Sequence, residues 1–185
     1  MMHLHIYGNT LMDISARLPA TVPLSAADAG ADRFDIANRL FLRLYQASNL
    51  MHKTGTRAVS AFGATTQQWA VLGALSRPAV REHGTTVKDL IAFLMVSRQN
   101  LTAVLDRLEE AGLVERVRAA GDGRLRHVRL TAAGDRIWSE MLISIRAYYE
   151  AALADFATED CLLLFRLLDR LRTSLGRIAG PEGYG

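Results

Sequence analysis

The stretch "VSRQNLTAVLDRLEEAGLVERV", residues 96–117, decides how the rest of the chain is read. Leu101, Val104, Leu105 and Leu108 fall at i, i+3, i+4 and i+7, one face of an amphipathic helix. Ser97 stands where a side-chain oxygen accepts from the free N–H groups of a first turn. Gly112 stands where a helix stops. The residues after it alternate like a short strand. The first helical turn displays Arg98, Gln99, Asn100 and Thr102, all hydrogen-bonding side chains. A polar helix face is most often only a solvated one, so the stretch acquires meaning from what surrounds it.

Downstream, "LVERVRA" and "RLRHVRL" read as two strands joined by Ala120-Gly121-Asp122-Gly123, residues suited to a tight turn. From Arg116 to Arg129 there are five arginines (116, 118, 124, 126 and 129) against one acid, Asp122. That surplus of positive charge exceeds the +3 of the whole chain. Upstream lie two shorter helices. "QQWAVLGAL" is capped by Thr65 or Thr66 and ended by Arg77-Pro78, with a loop through Gly84 after it. "VKDLIAFL" is started by Thr85 or Thr86. Helix, helix, recognition-type helix and hairpin make a winged helix-turn-helix over residues 63–131.

Long helices flank it. From Asp32, Leu40, Leu44, Ala47 and Met51 form one stripe and Phe41, Tyr45, Ser48 and His52 an adjacent one, predicting a wide buried face. Thr131 caps a helix reaching about Asp155. Thr158 caps a last helix in which Leu164, Leu168, Leu171 and Leu175 repeat at helical spacing. Residues 32–62 and 132–178 are too apolar for solvated linkers, and a second copy of the chain is the simplest cover, so they are read as dimerisation helices. Residues 1–31 carry two of the four prolines and no sustained period, and read as a weakly ordered or dimer-crossing arm. The fold class expected is mainly α with a small β-hairpin.

This architecture gives the polar turn a use. A recognition helix packs its apolar side on its own domain and points its N-terminal residues into the major groove. Arginine grips guanine O6 and N7 in a fork, and asparagine or glutamine grips adenine N6 and N7. A thin basic hairpin bearing Arg124 and Arg126 suits a narrow minor groove.

The same segments resemble the MarR family of transcriptional regulators. The resemblance rests on residues 96–117, on Asp122-Gly123-Arg124 as a D-x-R wing tip, and on Leu130-Thr131-Ala132-Ala133-Gly134 as L-T-x-x-G. "TTQQWAVLGAL" is similar to that family's second helix, and the likeness spans about residues 34–177. It implies a homodimer with interlocked terminal helices on a double-stranded, palindromic DNA operator. It places groove contact on Ser97 to Arg107 and minor-groove contact on Arg124. It also implies a small-molecule effector, such as an aromatic carboxylate, held between the dimer helices and the winged helix. Tyr45, Ser48, His52 and Trp69 are the candidate walls of that site, against the plainer reading of Tyr45 and Trp69 as core and His52 as an interfacial histidine. The expected function is a repressor released from its operator by the effector.

Other classes find less support. Half the residues are hydrophobic and 22% are charged, an ordinary globular composition. The one cysteine, Cys161 in "CLLLF", excludes an internal disulfide, fits a cytoplasmic location and reads as inert packing. No signal peptide is evident, and the longest uncharged stretch, Ala58 to Ser76, is too polar for a membrane span. Histidines 3, 5, 52, 83 and 127 show no close ligand spacing except His3-x-His5 in the arm, so no metal or cofactor is expected. No phosphate loop or nucleophile elbow occurs, so no enzyme is expected. Glu109-Glu110 reads as a solvated flank. Two alternatives remain: a winged helix used only for protein contacts, and a small enzyme using Tyr45 and His52.

Overall fold

The computed structural model describes residues 32–119 and 122–180, the side chains of 119 and 122–125 apart. The arm of residues 1–31, the tip Ala120-Gly121 and the side chain of Arg124 therefore lie outside the described residues. Helix α1 covers Arg33–Val59, and a 3-10 turn, Ser60–Phe62, leads to Gly63 at φ +64°. Helix α2, Thr66–Leu75, starts at a reciprocal cap. Thr65 Oγ1 accepts from the Gln68 N–H at 3.3 Å, and Gln68 Oε1 accepts from the Thr65 N–H at 2.8 Å. Two free donors of the first turn are thereby satisfied.

Two elements differ from the expectation for residues 77–86. The segment after Arg77 is not a plain loop: Pro78–Arg81 forms a one-turn helix, α3, with proline at its first position, where its missing N–H costs nothing. Thr85–Thr86 forms a strand, β1, before Thr86 caps helix α4, Val87–Leu94. Helix α5, Arg98–Glu110, is capped by Ser97 as expected. Strands β2, Val114–Ala119, and β3, Asp122–Leu130, follow, then helices α6, Ala132–Ala152, and α7, Thr158–Ala179. Thr131 caps α6. The last helix is capped one residue earlier than expected, at Ala157, whose N–H donates to Asp160 Oδ2 at 3.1 Å.

The sheet is antiparallel with order β1-β3-β2, so the hairpin gains a third strand on its outer edge. Register fixes what each face carries. Val114 opposes Leu130, Arg116 opposes Val128, and Arg118 opposes Arg126. Residues two apart share a face, so this face is apolar at its base and cationic toward the tip. Val114, Val128 and Leu130 close over the core, which Leu72 and Leu75 of α2, Leu90 of α4, Leu101, Leu105 and Leu108 of α5, and Met141 of α6 complete.

The chain divides into two units inside α1, one up to Ala47 and one from Ser48. In the first, residues 33–47 of α1 bury nothing: Phe34, Leu40, Phe41 and Tyr45 are all exposed. Among the described residues, the wide face predicted on this helix is exposed along that stretch. In the second, α7 likewise buries no residue, and Phe165 is 70% exposed. Cys161 is half-buried on α7 rather than enclosed in a core.

Candidate nucleic-acid interface

Helix α5 is held by its apolar stripe, since Leu101, Val104, Leu105 and Leu108 are all buried. At 3.6 residues per turn, the side opposite that stripe carries Gln99, Ala103 and Asp106. Ser97 Oγ accepts from the Asn100 N–H at 3.2 Å, which fixes the first turn. Ser97, Arg98, Gln99, Asn100, Thr102 and Arg107 are all exposed. Among the described residues, neither Arg98 nor Arg107 has an acidic partner.

The hairpin's arginines do not act alike. Two of the five counted in the sequence are engaged within the domain. Arg129 Nε donates to Glu115 Oε1 at 2.8 Å, across the ladder from its register partner. Arg116 donates to Asp106 Oδ1 at 2.7 Å and to Glu109 Oε2, two carboxylates one turn apart on α5. Hydrogen bonding to Asp106 raises the Arg116 guanidinium above its ordinary value, burial working against it, so it stays charged. The local positive surplus is thus smaller than the count suggested, because Glu109, Glu115 and Asp106 enter the same neighbourhood. Glu109 is not merely solvated, as the sequence had suggested.

Arg118 and Arg126 remain. They are directly opposed across the ladder, both exposed, and among the described residues neither pairs with an acid. Like charges in that relation repel, and an anion between or beside them relieves the repulsion. Arg124 lies on β3, two residues beyond Arg126 toward the tip.

Tyr45 belongs to the first unit and is 67% exposed, while Ser48 is half-buried and His52 exposed on the second unit's part of α1. Trp69 is buried, and its companions come from α6. Its ring lies 5.9 Å from that of Tyr148, edge-on, and 5.7 Å from that of Tyr149. Thr54 Oγ1 donates to the Leu50 carbonyl at 2.6 Å, so at 3.0 Å the Tyr148 hydroxyl is the donor to Thr54. Burial, with the neighbouring Tyr148, pushes the Tyr149 phenol up, which keeps it neutral. Sequence reasoning did not single out Tyr148 and Tyr149 as companions of Trp69; the doublet in "RAYYEA" is their sequence signal.

A model of the MarR family matches residues 62–125, the segment from the approach to α2 through the wing. The transcriptional activatory protein BadR of Rhodopseudomonas palustris is 51% identical over 154 residues, covering 80% of this chain and 87% of BadR. The chain belongs to the MarR family of transcriptional regulators. A second member-like relative, the HTH-type transcriptional regulator FarR of Neisseria gonorrhoeae, is 34% identical over 108 residues, 58% of this chain and 70% of FarR. The ligand-free crystal structure of the organohalide-sensing RdhR-CbdbA1625 regulator superposes with a TM-score of 0.70 at 16% identity, covering 84% of this chain and 92% of that one. At that identity the likeness is one of fold. The winged helix expected from residues 96–117 is thereby the fold of this MarR-family chain, and its small sheet has three strands. Among the described residues, no helix is long and apolar enough to cross a membrane.

Proposed function

We propose that this MarR-family protein is a homodimeric, operator-binding regulator without enzymatic activity, acting on DNA in the cytoplasm and released by a small effector. The observation that carries the DNA reading is the pairing of two cationic or polar surfaces left free by the fold. One is the capped, exposed first turn of α5; the other is the opposed Arg118 and Arg126 on the wing. On this reading Arg98, Gln99, Asn100 and Thr102 meet base edges, with Ser97 and Arg107 on the flanking backbone. Arg118, Arg124 and Arg126 hold phosphate and the minor groove. Repression is the simplest mode, since a dimer on a palindrome occludes a promoter; the same grip at an upstream operator activates. An aromatic carboxylate is the effector class proposed, with the Trp69–Tyr148–Tyr149 rings as a stacking wall and Ser48 and His52 as further candidates. A ligand acts by preferring the conformer with displaced recognition helices, lowering affinity by its differential binding.

The test is binding to DNA from the protein's own upstream region, at two salt concentrations, with and without aromatic acids. Losing a forked base contact costs about 1–3 kcal/mol and relaxes one operator position. Asn100→Ala or Gln99→Ala is therefore expected to change which single-base operator variants bind. Losing a backbone contact lowers affinity for many sequences and flattens the salt slope by about one unit. Arg126→Ala and Arg124→Ala are expected to do that. If Arg126→Ala altered base preference while the helix variants did not, the two elements would have exchanged roles. Absence of any salt-dependent affinity would favour a protein-contact module.

A further inference from the structure

Asp106 and Glu109 stand on the helix that the proposed function sends into a groove lined with phosphates. Two carboxylates there are a liability on simple electrostatics. Asp106 lies on the outward side of α5, in line with Gln99 and Ala103. Both acids turn to one cation, Arg116, which comes from the wing rather than from the helix. Its side chain is 27% exposed, against 41% for Arg129, whose bond stays within the hairpin. Arg116 is the residue at which the core face of the sheet stops being apolar, between Val114 below and Arg118 above. It therefore reaches α5 from the edge of the core.

The backbone at the same junction is already constrained. Gly112, at φ +69°, donates to the Glu109 carbonyl at 2.9 Å, and the Leu113 N–H donates to the Leu108 carbonyl at 2.9 Å. Thr131 Oγ1 donates to the Gly112 carbonyl at 2.7 Å. These bonds fix where β2 leaves the helix, but not how a long hairpin swings beyond that point. The Arg116 fork ties the first strand to the helix flank farther out. Two forked contacts from one planar group restrict direction as well as distance.

We propose that Arg116 is a positioning residue of the DNA-binding surface: bridged to Asp106 and Glu109, it sets the wing's direction relative to the recognition helix and neutralises acids that face the nucleic acid. This rests on the operator-binding reading above. Arg116 touches no DNA; it acts through the placement of Gln99 and Asn100 relative to Arg118 and Arg126. The consequence runs against simple electrostatics. Removing negative charge from a DNA-binding face ordinarily strengthens binding. Here removing it frees the wing, and operator binding weakens.

The experiment compares full-length wild type, Arg116→Met, Asp106→Asn with Glu109→Gln, and all three changes together. Each is titrated against the operator and a random duplex at two salt concentrations, with a thermal melt to verify folding. Arg116→Met is expected to lose about tenfold in operator affinity, an ordinary coupling between contacting groups, with much less change on random duplex and an unchanged salt slope. The Asn/Gln double variant is expected to lose operator affinity too, and the triple variant to be no worse than either parent. If Arg116→Met fails to fold, Arg116→Lys replaces it, keeping the charge without the fork; it is expected to keep the salt slope and lose part of the operator preference. Wild-type-like or tighter operator binding by the double variant overturns the inference. So does a salt slope flattened by about one unit in Arg116→Met, which would make Arg116 a phosphate contact. Failure of the wild type to prefer any operator would instead overturn the DNA reading itself.

Discussion

Leu168→Asp is expected to leave the protein monomeric at micromolar concentration and to abolish operator binding with it. Helix α7 exposes Leu162, Leu163, Leu164, Phe165, Leu167, Leu168, Leu175 and Ile178, and among the described residues it has no buried position. A monomer rarely shows water so continuous an apolar surface, and the proposed dimer would supply the partner face. Fully burying one leucine is worth about 1.5–3 kcal/mol, and two-fold symmetry counts each substitution twice. A carboxylate at this position adds a desolvation cost, so the dimer constant weakens about a thousandfold or more. A monomer grips one half-site where a dimer grips two, so operator affinity falls in step. Sedimentation velocity and operator titration on the same samples check both effects. Arg166→Glu, a charge change on the same helix, serves as the comparison and is expected to keep the dimer. A dimeric Leu168→Asp would mean that α7 is not the partner face.

The same exposed helix shows where reading from sequence succeeds and where it stops. Periodicity picked out apolar stripes on α1 and α7, but periodicity reports only that a face is apolar. It does not say what covers the face, and among the described residues Leu40, Phe41 and Tyr45 are exposed. Caps were legible because a cap is local: Ser97, Thr131 and the Thr65–Gln68 box depend on residues three apart. Strand β1 was not legible. Two threonines have no period, and they become a strand only because β3 runs beside them, Thr85 opposite Val128.

Charge was legible as a total but not as a distribution. Counting five arginines in the hairpin treated them as equivalent. Register pairs Glu115 with Arg129, and the turn at Gly112 brings α5's acids under Arg116. Neither partner lies in the window that was counted. The exposed first turn of α5 was legible because its display depends only on the opposite face being buried. The aromatic partners of Trp69 come from a helix about eighty residues away, and no local pattern in "TTQQWAVLGAL" announces them.

Gly134→Ala is expected to destabilise the protein by about 3 kcal/mol or more, the upper end of what an overpacked site costs. The sign is the informative part, since glycine to alanine inside a helix ordinarily stabilises by about 1 kcal/mol. Gly134 sits in the first turn of α6, its N–H donating to Thr131 Oγ1 at 3.0 Å. A Cβ added there would lie 2.0 Å from the Leu113 carbonyl oxygen and 3.3 Å from Leu130 Cδ2. That oxygen is backbone, and it accepts from the Thr131 N–H at 3.1 Å, so it cannot turn aside without breaking the bond that closes the wing's base. Either α6 withdraws from the sheet or the start of β2 shifts, and both move groups that the core has already packed. The final glycine of L-T-x-x-G is thus required by close approach of two backbones, not by its own dihedral angles. For a chain of this size about 3 kcal/mol lowers the melting temperature by about 6–12 °C. Thermal melts of wild type and variant at one protein concentration measure it. A variant melting at or above wild type would mean that Leu113 does not hold its carbonyl against α6.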